Sequence, residues 1–394
     1  MIAQIREAAL NEFRVLWQDK RSLVVLIATP LLFISLFGYL YVNNVVTGVK
    51  TLILDQDNTS LSRSIADSFG NSDRFRIVGY VNSQDDIRNW LEAGRADAAV
   101  VIPRHFYKDI KKLRSSEIMV IVNGSNMIIA NTVMSFANEI IQTFSAGTAV
   151  KIMEGKGFMP DTAYKVASAI SFRPRIWYNP TLNYTNFLLL GLLGTAVQQV
   201  VMLYSSIAVV RERQAGRLTA AGQGLGQLAG YVAGRGLPYF LISFININLV
   251  LVLVTTVFKV PFRGSVTGLF LLEAAFLAGV TALGIFLSIA CRSQLEATQM
   301  AMLVAVPSFL ISGYTWPLQA MPLPLQALSK LLPLSYFVNS LRDLAIMGVG
   351  LDRIWRSLLY LTGLAVILWP AGIVLLKIKL EKDSRFVEPK PPGV

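Results

Sequence analysis

SGYTWPLQAMPLPLQALSKLLPLSYFVNSLRD, residues 312–343, stands between two long apolar runs. It carries Pro317, Pro322, Pro324 and Pro333, yet leucines and aromatics recur through its length. A continuous span cannot hold so many helix breakers, and non-helical backbone survives at membrane depth only where protein or a water-filled cavity covers it. The stretch therefore predicts short helices that dip into the bilayer and turn back, a re-entrant hairpin over residues 314–348. Leu325–Leu332 and Ser335–Gly348 have the spacing for its two helices. The same residues also fit an interfacial loop that only anchors the fold.

Outward from this hairpin the chain reads as a polytopic α-helical membrane protein. Of its 394 residues 54% are hydrophobic and only 15% charged, and the mean hydropathy is +0.52, more apolar than a soluble domain. Six spans are expected: Ser22–Tyr41, Leu182–Val210, Tyr231–Phe258, Val266–Ala290, Ala297–Gly313 and Trp355–Leu376. Residues 1–21 have apolar residues near helical spacing (Ile2, Ile5, Ala9, Phe13, Leu16, Trp17) and predict an amphipathic interfacial helix ahead of the first span, residues 22–42.

Between the first two spans, residues 43–178 change character. Charges return, and strand and helix patterns alternate: VKTLILDQD, FRIVGYV, ADAAVVIP and EIMVIVNGS as strands, with helices between them and a long helix after the last. Ser60 and Ser83 are expected N-caps, and Gly94 an expected C-terminal stop. This order predicts a small α/β domain with a mainly parallel sheet. Spans two to six occupy residues 179–394.

Basic residues in short loops orient the chain. Lys20, Arg21, Arg211, Arg213, Arg217, Arg292, Lys377, Lys379, Lys382 and Arg385 place both termini in the cytoplasm and the α/β domain outside it. Lys259, Arg263, Arg353 and Arg356 fall on the other side and weaken the bias without reversing it. The net charge of +12 is thus a topology signal, and no basic-aromatic surface points to nucleic acid.

Several chemistries lack their residues. Cys291 is the one cysteine and His105 the one histidine, so an internal disulfide is excluded, and the neighbours of His105 (Pro103, Arg104, Phe106, Tyr107) support neither a His-based metal site nor a Ser/His/Asp triad. No acid pair or nucleophile–base constellation points to an enzyme. The longest cytoplasmic loop, residues 209–231, contains RERQAGRL and the glycines Gly222, Gly224, Gly226 and Gly230. It lacks the lysine of a phosphate loop and reads as a flexible turn. A short charged helix here is placed to dock a soluble partner.

At these residues the sequence resembles the type-2 ATP-binding-cassette permeases, in particular bacterial exporter subunits with a large periplasmic insert after the first span. Their charged coupling segment is similar to Arg211-Glu212-Arg213-Gln214-Ala215-Gly216-Arg217-Leu218. It is followed by Gly234-Arg235…Leu237-Pro238 at the start of the third span. Their stretch before the last span is similar to Ser312, Gly313, Pro317, Met321, Pro322, Leu325, Gln326, Leu328, Ser329, Pro333, Leu334, Tyr336, Phe337, Leu341 and Arg342. The chain departs from the pattern at Gln214, in place of a second acid, at Arg217, in place of a threonine, and at Ala220, Ala221 and Gly222. Asn123 stands where the insert often has an aspartate.

The resemblance implies a permease subunit of an ATP-driven exporter in the bacterial inner membrane. It would move a hydrophobic or amphiphilic substrate (drug, lipid or peptide) and have no catalytic site of its own. ATP and Mg would be bound by cytoplasmic ATPase subunits, reached through Arg211, Glu212, Arg213, Gly216, Arg217 and Leu218. Pro317, Met321, Pro322, Pro333, Tyr336, Phe337 and Arg342 would form an outer gate. A second permease subunit, identical or different, would complete the pathway along spans two and five, and a periplasmic adaptor and membrane lipid are further expected partners. The alternative from another class is a receptor whose α/β domain binds a ligand and signals through the spans.

Overall fold

The computed structural model describes residues 2–42, 46–112, 114–162, 177–180, 183–218 and 224–385, with side chains to residue 382. Leu182, Ala220, Ala221, Gly222 and the side chain of Arg385, all named above, lie outside the described residues. The chain divides into two compact units, Met1–Asn44 with Ile176–Val394, and Val45–Arg175.

The first unit is helical. It contains α1 (Ile2–Gln18), α2 (Lys20–Leu40), α7 (Tyr184–Ser205), α8 (Ala208–Gln214), α9 (Leu225–Thr256), α10 (Val266–Ala290) and α11 (Gln294–Ile311). The short helices α12 (Leu323–Ser329) and α13 (Pro333–Arg342) precede the long α14 (Leu351–Arg385). Among the described residues, six helices are long and apolar enough to cross a membrane: Lys20–Leu40, Tyr184–Gln214, Leu225–Thr256, Val266–Ala290, Gln294–Ile311 and Leu351–Lys382. This is a multi-pass membrane protein.

Local chemistry sets the helix starts. Asp19 accepts the Ser22 amide at 3.2 Å to cap α2, Ser265 caps α10 through the Gly268 amide at 3.0 Å, and Ser293 caps α11 through the Glu296 amide at 3.1 Å. Each supplies an acceptor to an amide that the helix itself cannot pair.

α7 is the central helix: its most apolar 18-residue stretch is 83% buried within the unit, against 17% for that of the last span. Glycines allow the close approach: a Cβ on Gly194 would lie 2.8 Å from Val338 and 2.9 Å from Phe337, and one on Gly284 only 1.8 Å from Ser205 Oγ. The core runs from Leu189, Leu193 and Val197 of α7 through Phe276 and Val280 of α10 to Phe337 of α13.

The second unit is a four-stranded sheet with helices. Its strands are β1 (Val49–Asp55), β2 (Phe75–Tyr80), β3 (Ala98–Ile102) and β4 (Met119–Val122), in the order β2-β1-β3-β4. β1 pairs parallel with β2 and β3, while β4 pairs antiparallel with β3. The helices are α3 (Ser60–Gly70), α4 (Gln84–Glu92), α5 (Phe106–Lys111) and α6 (Met127–Glu154). Alternate residues of β1 serve two cores, Val49 and Ile53 on one face and Leu52 and Leu54 on the other, as a strand covered on both sides requires.

Two details depart from the sequence reading. The cap of α3 is Thr59 rather than Ser60, because Thr59 and Ser62 close a reciprocal capping box. The last strand runs antiparallel to β3, although the helix before it would also allow a parallel return; which way it pairs is decided by tertiary packing.

Candidate functional site

The apolar stripe of α1 contains a carboxylate. Its buried residues are Ala8, Ala9, Glu12 and Leu16, so the stripe is rotated from the one expected: Ile2 and Trp17 are 81% and 73% exposed. This face packs on α9, where a Cβ on Gly234 would lie 2.6 Å from both Ala8 Cβ and Ile5 O. The missing side chain brings Glu12, 0% exposed, against the polar residues that follow on α9.

Glu12 is the hub of a charged knot. Arg235 Nη1 donates to its Oε2. Arg211 Nη2 donates to Oε1 at 2.8 Å, and Tyr239 OH donates to the same oxygen at 2.5 Å. Arg235 Nη2 lies 3.3 Å from Glu212 Oε2, and its guanidinium stands 5.2 Å from the centre of the Tyr231 ring. Glu12 and Glu212 thus balance Arg211 and Arg235, which is how buried charges persist. Arg217, 3.8 Å from Glu212, is 68% exposed. Arg211 Nε and Arg235 Nε have no hydrogen-bond partner.

α8 is fixed to α10 as well. The Val209 and Val210 amides donate to Ser288 Oγ at 2.9 and 3.0 Å. Arg213 donates to the carbonyls of Ile289 at 3.2 Å and Cys291 at 2.5 Å, and Lys379 of α14 donates to Ala290 O. Two cations therefore cap the C-terminal carbonyls of α10, where the helix dipole favours positive charge. Cys291 is buried, and its desolvation raises the thiol pKa.

The expected coupling residues thus divide into two sets. Arg211, Glu212 and Arg213 are spent on internal contacts, with Glu212 only 6% exposed. Gln214, Ala215, Gly216 and Arg217 are exposed. Leu218 packs on the cluster containing Leu16, Ala208 and Leu228. Gly216 has φ +66°, with nothing within 4 Å of where a Cβ would be. Its requirement is conformational, not steric.

The hairpin residues gather at the other end of α7. Tyr314 OH donates to Phe187 O at 2.5 Å, and Arg342 stands 5.0 Å from the Tyr314 ring centre. Phe337 stacks on Phe276 at 4.0 Å, and Tyr336 stacks on Tyr360 at 3.9 Å. Pro317 precedes a 3-10 turn, Pro322 is the N-cap of α12, and Pro333 is the first residue of α13. Met321 is 8% exposed. The second expected helix, Ser335–Gly348, is instead α13 followed by a π-helical turn, Asp343–Met347, closed by Gly348 at φ +70°. α7 has 22 residues, so knot and hairpin stand about 30 Å apart along it.

Sequence reasoning missed Glu12, Tyr239 and Ser288. The signal for Glu12 was present, since it falls four residues after Ala8 and four before Leu16 on the apolar face. Among the described residues no cluster suited to a metal ion occurs.

The profile of the ABC-2 family transporter protein matches residues 20–374. The chain is 25% identical over 382 residues to the probable multidrug ABC transporter permease YbhS of Escherichia coli K12, covering 96% of this chain and 98% of that one. It is 24% identical over 348 residues to the probable multidrug ABC transporter permease YbhR of the same strain, covering 88% and 91%. It is 26% identical over 313 residues to the inner membrane transport permease YhhJ, also of that strain, covering 78% and 80%.

Proposed function

Because the chain belongs to the ABC-2 family of transporter proteins, we propose that it is the membrane subunit of an ATP-driven exporter in a bacterial inner membrane. As a permease it is the transport component, without a catalytic site of its own. The proposed cargo is hydrophobic or amphiphilic, in keeping with relatives named as multidrug permeases. The work is differential binding of that cargo in two conformations, whose balance is shifted by ATP and Mg bound in a partner ATPase.

The observation that carries this reading is the charged knot at one end of α7 and the hairpin at the other. The exposed turn Gln214–Arg217 is the contact offered to the ATPase. Glu212, directly behind it, is tied through Arg235 to Glu12, so a push on the turn reaches α1 and α9 together. Arg211 Nε and Arg235 Nε, buried without hydrogen-bond partners, offer donors for a second set of pairings once α8 moves, since an unpaired buried polar group is costly where it stands. Rigid packing of α7 on α13 carries the displacement to the hairpin, which acts as the outer gate.

In the same reading both termini are cytoplasmic, residues 43–178 form an extracytoplasmic domain and a second permease, identical or different, completes the pathway. A periplasmic adaptor joins the assembly; nucleic acid does not. Purification from the native membrane tests this reading. An ABC ATPase in stoichiometric amount is expected, and a sensor kinase or regulator in its place overturns the assignment.

A further inference from the structure

We propose that the groove between α1, α2 and α9 seats one acyl chain of an anionic phospholipid whose phosphate meets Lys20 and Arg21. The groove is a cavity of about 190 Å³ with apolar walls that include Phe13, Trp17, Leu23, Ile27, Ile245 and Leu249. This is below the roughly 300–1,000 Å³ of sites for drug-sized ligands, so it suits a slender chain. Three of its residues open onto the outer surface of the helices: Trp17, Ile245 and Leu249 are 73%, 62% and 49% exposed.

Charge at one end identifies the head group. Leu23 and Ile27 are one helical turn apart on α2, and Lys20 lies one turn before Leu23 on the same face. Arg14, Lys20 and Arg21 are exposed, and none forms an ion pair among the described residues. Asp19 is occupied by Ser22, whose hydroxyl it accepts at 2.5 Å. The elbow therefore carries two positive charges in excess beside an apolar slot, complementary to a phosphate on an acyl chain. Trp17 at the rim fits the interfacial preference of tryptophan.

The consequence reaches the knot. Phe13 lines the groove while the preceding residue, Glu12, anchors α1 to Arg235 and Tyr239. A chain seated between α1 and α9 holds the helix at the separation those bonds need. Anionic lipid is thereby a structural cofactor of coupling. This consequence rests on the exporter reading, whereas the binding site rests only on Lys20–Leu40 spanning the bilayer.

The test uses the full-length permease alone, in phosphatidylcholine vesicles containing either phosphatidylglycerol or phosphatidylcholine brominated in the acyl chain. Bromine quenches tryptophan on contact, and the difference between wild type and Trp17→Phe isolates Trp17. Each cation contributes roughly five-fold in affinity near an anionic lipid. Half-maximal quenching is expected at a roughly 25-fold lower fraction of phosphatidylglycerol than of phosphatidylcholine. Lys20→Gln/Arg21→Gln should bring the two curves together, and Ile27→Phe, which fills the slot, should weaken quenching by both. Equal quenching in the wild type, selectivity retained without Lys20 and Arg21, or quenching unchanged in Ile27→Phe each overturns the proposal. Because no ATPase or cargo is present, a failure of the exporter reading leaves this result intact.

Discussion

Glu12 and Arg235, 223 residues apart in the sequence, form a charge-assisted hydrogen bond at 0% and 6% exposure. This contact makes the N-terminal helix part of the membrane unit. Removing one member of a buried pair leaves the other charge unpaired and costs about 3–5 kcal/mol.

Glu12→Gln is therefore expected to lower the thermal stability of the detergent-purified permease markedly. Arg235→Gln should do the same. The double variant should lose less than the sum of the two, since neither charge is then stranded. Additive losses in thermal unfolding would show that the two residues act independently.

Gly216 tests conformation against space. Its φ of +66° disfavours any side chain, yet a Cβ there meets nothing. Gly216→Ala and Gly216→Leu should impair coupling to the same extent, each through about 1–2 kcal/mol of backbone strain. Gly216→Asn should be the mildest, because asparagine enters this region most readily. Transport that falls progressively with side-chain size would instead indicate a steric contact with the ATPase.

The hairpin should separate packing from gating. Phe337→Ala removes a fully buried ring stacked on Phe276 and should cost about 3–5 kcal/mol of stability. Pro322→Ala acts at an exposed N-cap and should leave assembly intact while altering transport. Unaltered transport by a variant with residues 314–348 replaced by a flexible linker would remove the gate altogether.

Cys291 should be silent toward maleimides at neutral pH. Burial raises its thiol pKa, so the reactive thiolate is scarce below the shifted value and increases as pH rises through it. Single cysteines introduced at Asn58 or Ser83 can then be read against it. Labelling of intact cells by an impermeant maleimide at those positions places the sheet unit outside. Labelling only after the inner membrane is breached places it inside.

Much of the fold was legible because membrane spans and covered strands repeat one simple pattern. The span over Val266–Ala290 matches the observed helix, since its apolar run has the length of a membrane crossing and is bounded by polar residues. The strands were legible from β-branched runs between polar turns, and the Ser83 capping box from its acids. The direction of β4 was not, because pairing is a tertiary choice that the sequence of one strand does not encode. The knot was only half legible. Arg211 to Arg217 are conspicuous as a charge cluster, but Glu12 and Tyr239 are single polar residues on apolar faces. Only the packing of α1 on α9 shows that they meet. That packing also explains why Glu212 faces inward rather than toward a partner.

The central claim is that the α8 turn and the knot behind it couple ATP hydrolysis to transport. The most direct measurement follows ATPase activity and dye efflux together in Glu212→Lys/Arg213→Glu, with correct insertion and ATPase co-purification verified first. The substitutions reverse one charge facing Arg235 and remove the cation that caps Ile289 and Cys291. The predicted result is that ATPase activity persists while efflux falls at least roughly ten-fold. Efflux and ATPase activity both at wild-type levels in a correctly inserted complex would contradict it.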